Sequence, residues 1–78
     1  MPTVLRVQGF RFYFYANERS EPPHVHVDKG GATGKLWLAD VRWDDSRGFS
    51  PAQQRTIRHI VQQHHAELMA KWNEFFGQ

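Results

Sequence analysis

The stretch PPHVHVDKGG, residues 22–31, leaves the chain little choice of local structure. Each proline fixes its own φ and steers the preceding residue away from the helical region, so the segment is entered extended. Histidine and valine then alternate with period two, the repeat of a strand whose successive side chains point to opposite faces. Gly30-Gly31 supplies the positive φ that a two-residue hairpin turn requires. A strand from His24 to Lys29 returning through Ala32 to Leu38 satisfies all three signals. Such a loop also sets a register. Val25 then faces Leu36 and Val27 faces Gly34 on an apolar side, while His24 faces Trp37 and His26 faces Lys35 on a polar, solvent-facing side.

The same reasoning applies upstream. Thr3–Val7 and Phe10–Tyr15 are rich in β-branched and aromatic residues and are separated by Gln8-Gly9, which predicts a first hairpin. Its register pairs Val7 with Phe10, Arg6 with Arg11, Leu5 with Phe12 and Val4 with Tyr13. Leu5, Val7, Phe10, Phe12 and Phe14 then form an apolar face, and Arg6, Arg11, Tyr13 and Tyr15 a basic, aromatic one. Two arginines directly opposite each other repel unless an anion or a carboxylate lies between them. Residues 17–23, NERSEPP, read as a loop. The second hairpin is prolonged or followed by a short strand through Val41 to Trp43. DDSRGFSP, residues 44–51, reads as a break, with Asp44 and Asp45 as turn formers.

Ser50, Pro51 and Gln53 stand where an N-cap, a first helical position and a capping-box partner belong, so a helix begins there. Ile57, Ile60, Val61, His64, Leu68, Trp72 and Phe75 lie on one stripe at three- and four-residue steps, which extends that helix to about Phe76. At ~25 residues it would span roughly 37 Å and offer Trp72, Phe75 and Phe76 beyond the sheet. The fold class is therefore α+β: a four-stranded, mainly antiparallel sheet of two hairpins, with one long C-terminal helix packed on one face. At 78 residues this is one domain, residues 1–78, near the lower limit for a single apolar core, so a homodimer stays open.

The chain has no cysteine, so a metal would have to be held by His, Asp or Glu. No apolar run approaches a membrane span, and the N-terminus is too short and interrupted for a signal peptide, which predicts a cytoplasmic protein. The formal charge of +2 permits a nucleic-acid partner without demanding one. The His-x-His pair is the sharpest chemical feature. On one strand face His24 and His26 could work as acid and base in a ribonuclease-like cleavage of RNA, with Arg6, Arg11 and Lys35 holding phosphate and Tyr13 and Trp37 stacking bases. Both imidazoles could equally hold a divalent metal such as zinc, with His64 or Asp28 as third ligand, although His64 reaches them only if the strand slips by one residue. Otherwise His64 is a core histidine bonded at one nitrogen, and His59 and His65 are solvated helix positions. GGATGK, residues 30–35, is no phosphate-binding loop, because Leu36 stands where Ser or Thr is needed. Pro2 would become a free amine on loss of Met1, with nothing else to support amine catalysis.

The arrangement MPTVLRVQGFRFYFY, then EPPHVHV, a glycine hairpin and a helix with HHAELMAKW resembles the small bacterial proteins grouped as DUF4160 over nearly the whole chain. The matching positions are Pro22, Pro23, His24 and His26, then His64, Glu67, Leu68 and Trp72. Many relatives carry an acidic or Asp-His segment ahead of the prolines, where this chain has NERSE. The resemblance implies a neighbour of the DUF2442 family in a two-gene module of toxin-antitoxin type. It names no reaction. The expected role is a component of such a module that binds RNA or another anionic partner, with metal binding and plain protein-protein interaction through the helix end as the other readings.

Overall fold

A computed structural model of the chain describes residues 3–77, so the expectation for Pro2 lies outside it. Among these residues are five strands, β1 (Thr3–Val7), β2 (Phe10–Tyr13), β3 (His24–Lys29), β4 (Ala32–Trp37) and β5 (Arg42–Arg47), and two helices, α1 (Pro51–Gln63) and α2 (His65–Phe76). The strands form a single antiparallel sheet in chain order.

Both hairpins follow from their turns. Gln8 (φ 54°) and Gly9 (φ 83°) are both left-handed, the twist that lets two flanking strands stay paired. Val7, Arg6 and Leu5 oppose Phe10, Arg11 and Phe12 as expected, after which a bulge puts Thr3 rather than Val4 opposite Tyr13. In the second hairpin His24, Val25, His26 and Val27 oppose Trp37, Leu36, Lys35 and Gly34, the register expected from Gly30-Gly31.

The sheet has five strands rather than four. RWDDSR, expected to break at Asp44, continues as β5 with Asp45 opposite Lys35. A bulge between Lys35 and Leu36 interrupts the alternation of β5, which is why no period-two pattern is visible there. β5 lies at the sheet edge, where charges are tolerated and discourage pairing with another chain. Trp43 packs over β4 because Gly34 leaves room: a Cβ there would come within 2.5 Å of its ring.

The helix is two helices rather than one. Ser50 caps α1 with a complete capping box, as expected. At His64 (φ −104°, ψ 18°) the chain bends, and His65, expected in solvent, donates from Nε2 to the Leu38 carbonyl at 2.6 Å, pinning the bend to the end of β4. The end of α2 therefore does not project. Trp72 and Phe76 are buried, with Trp72 edge-on to Phe14 at 5.3 Å, and the stripe ends on Phe76 while Phe75 is exposed. Phe10, Phe12, Phe14, Val25, Val27 and Leu36 meet Ile57, Ile60, Val61 and Leu68 in one core between the sheet and the helices. Burying each such side chain contributes roughly 1.5–3 kcal/mol, which a domain of this size needs.

Candidate functional site

Between β2 and β3 the chain leaves the sheet and returns through two turns, closed by Glu18 N–H to the Tyr15 carbonyl (3.4 Å) and Glu21 N–H to the Glu18 carbonyl (3.1 Å). The second turn presents Glu18 to the strand that follows. Period two puts His24 and His26 on the sheet face away from Val25 and Val27, as expected, but the face is not open to water there. His24 has no exposed surface. Its ring is covered by Trp37 at 5.5 Å and Trp72 at 5.0 Å, the latter carried by α2. His26 is half-buried, stacked on Tyr13 at 5.5 Å and edge-on to Tyr15 at 4.5 Å.

His24 Nε2 and His26 Nε2 each lie 2.7 Å from the same atom, Glu18 Oε1. Glu18, His24 and His26 form the one cluster among the described residues in which three such groups offer ligand atoms within 4.8 Å of one another. His24 Nδ1 sits 2.9 Å from the Pro22 carbonyl, which can only accept, so Nδ1 carries the proton and donates it there. A neutral His24 ring then points the Nε2 lone pair at a carboxylate oxygen. Two acceptors at that distance repel unless a proton or a metal cation lies between them. Burial lowers the pKa of His26, and the opposing pull of Glu18 does not restore it, so this ring favours its neutral, ligand form. Burial alone would raise the Glu18 carboxyl, but its close contacts with the two imidazoles outweigh it and hold the group below the usual carboxylate range.

The cations expected to bind an anion are largely spoken for. Arg11 pairs with Asp28 at 2.5 Å and lies over the Tyr13 ring at 4.2 Å, so Arg11 already has a carboxylate partner on β3. Lys35 donates to Glu21 at 2.7 Å, lies 3.9 Å from Asp44 and covers Trp37 at 4.5 Å. Tyr13, expected to be exposed, is buried, Trp37 is half-buried, and Arg6 is exposed. His64 bonds Glu67 at 3.0 Å and does not join His24 and His26, and Asp28 is taken by Arg11. A cleft of about 290 Å³ lined by Tyr13, Tyr15, His26, Lys35, Asp44 and others runs up to His26.

Glu18 was not among the expected site residues, because NERSEPP read only as a polar loop. Its signal was a carboxylate six residues before His24 in a loop too short to stray from the strand it precedes.

Fold and site together define a small α+β protein with two histidines and a glutamate converging on its sheet. The chain belongs to DUF4160, a domain of unknown function whose family model matches residues 9–73. No curated protein and no solved structure matches it.

Proposed function

We propose that the protein binds a divalent transition-metal ion, zinc by its donor set, through His24 Nε2, His26 Nε2 and the Glu18 carboxylate. The observation that carries this reading is the buried His24 ring, whose Nδ1 proton is committed to the Pro22 carbonyl while Nε2 faces Glu18 Oε1. A backbone carbonyl that fixes the tautomer from behind is the usual companion of a metal-bound histidine. Tetrahedral ligands about 2.0 Å from zinc stand ~3.3 Å apart, so the 2.7 Å contacts need widen by only roughly half an ångström. With three protein ligands the ion keeps an open position for water or a further ligand. Glu18 takes the place considered for His64 or Asp28.

Zinc titration tests the proposal. One equivalent should raise the melting temperature and shift the imidazole NMR signals of His24 and His26, and both effects should vanish in His24→Ala. Unmoved signals and an unchanged melting temperature on adding zinc would discard the reading. RNA binding through Arg6, Arg11, Tyr13, Lys35 and Trp37, with His24 and His26 as acid and base, rests on the residue types of that sheet face, and a DUF2442 partner rests on the family resemblance. RNA binding has less support, since Arg11 and Lys35 already have carboxylate partners and Tyr13 is buried. Such binding should weaken steeply with salt, so salt-independent retention of RNA would remove it.

A further inference from the structure

The three groups at the site are not held alike. His24 and His26 project from β3, where His26 is paired with both β2 and β4 and His24 with Trp37 of β4, so their backbone is fixed by the sheet. Glu18 hangs on the loop between β2 and β3. The base of that loop is tied to the sheet, because Leu38 N–H donates to the Pro23 carbonyl at 3.0 Å and His24 Nδ1 donates to the Pro22 carbonyl. Apart from the contacts of Glu18 itself, the turn that carries it has one side-chain tie to the sheet. Glu21 ends this turn, its N–H bonded to the Glu18 carbonyl, and its carboxylate accepts from Lys35 Nζ at 2.7 Å.

Lys35 is built to hold still. It stands in β4 directly opposite His26, its side chain is 16% exposed, and its ammonium lies 4.5 Å from the Trp37 ring centroid. Asp44 on β5 faces the same ammonium at 3.9 Å. Because Glu18 and Glu21 close one turn, fixing the Glu21 carboxylate on the sheet fixes the direction in which Glu18 points.

We infer that Lys35, through Glu21, is a positioning residue that latches the Glu18-bearing turn onto the sheet and so sets the affinity of the ion site. The inference rests on the metal reading above. Neither Lys35 nor Glu21 touches the ion. Lys35 accordingly belongs to the ion site as an outer partner rather than to an anion-binding face, and partners of this kind tune affinity by about 10- to 100-fold.

The test is a zinc affinity measurement against a competing chelator. Lys35→Met, which keeps the chain over Trp37 but removes the charge, should weaken binding about 10- to 100-fold, and Glu21→Gln should do the same. The double variant should lose no more than either single one, because both break one contact. Glu18→Gln should cost less in the Lys35→Met background than in the unaltered protein, since the carboxylate has already lost its aim. A merely structural role for Lys35 would not produce that coupling. Glu21 is at the loop surface, so Glu21→Gln carries the test even where Lys35→Met loses stability. Wild-type affinity in both single variants, or full additivity with Glu18→Gln, would overturn the latch while leaving the ion site standing. Failure of the unaltered protein to bind zinc would overturn the site and the latch together.

Discussion

At His24 the demands of folding and of chemistry meet on one ring. It has no exposed surface and sits between two tryptophans, yet its two nitrogens face a carbonyl and a carboxylate. His24→Ala should therefore cost the zinc-free protein roughly 2–4 kcal/mol, from the cavity and the orphaned Pro22 carbonyl, and abolish zinc binding as well. Urea melts with and without zinc separate the two losses. Tyr13 supplies a pH signature. Burial, helped by the neighbouring Tyr15, pushes its pKa up to about 12 from an ordinary value near 10, so the folded state holds this proton more tightly than the unfolded chain does. Its contribution is intact below about pH 10 and is lost as pH rises towards about 12, by an amount on the order of 2 kcal/mol. Tyr13→Phe should flatten that part of the alkaline stability profile, and an unchanged slope would contradict the assignment. Alternation with valine was enough to place His24 and His26 on one face. The burial of His24 could not be read the same way, because the rings that cover it come from Trp37 on the neighbouring strand and from Trp72 on α2, far along the chain.

Elements with strong local signals were legible, and those defined by their neighbours were not. Glycine turns specified two hairpins almost pair by pair, and Ser50, Pro51 and Gln53 specified a helix start. Ser50→Ala should cost about 1 kcal/mol in chemical denaturation. β5 has no such signal: its charges suit an edge and its bulge hides its period, so only pairing with β4 makes it a strand. Gly34→Ala tests that pairing. The new methyl would meet the Trp43 ring at 2.5 Å and the Asp45 carbonyl at 3.1 Å, which should destabilise the protein by roughly 1–3 kcal/mol and loosen the β4–β5 ladder in hydrogen exchange. The bend between α1 and α2 is likewise a tertiary event, fixed by the bond from His65 to the Leu38 carbonyl rather than by a proline or glycine.

For the molecule as a whole, small size makes any bound ion a large share of the stability. At a free zinc concentration about 100 times the dissociation constant, binding adds roughly 2.7 kcal/mol. In a domain of this length that corresponds to a rise of roughly 10–20 °C in melting temperature, reversed by a chelator and absent in Glu18→Ala. No helix of the described residues is long and apolar enough to cross a membrane. The ligands proposed for the ion all fall within Glu18 to His26, early in the chain, whereas the indole that seals His24 belongs to α2, close to the C-terminus. During synthesis the ion's three donors therefore emerge well before their cover does. An ion held as proposed would be closed off on the His24 side by that late-made indole and would be reached from the His26 side through the cleft beside it.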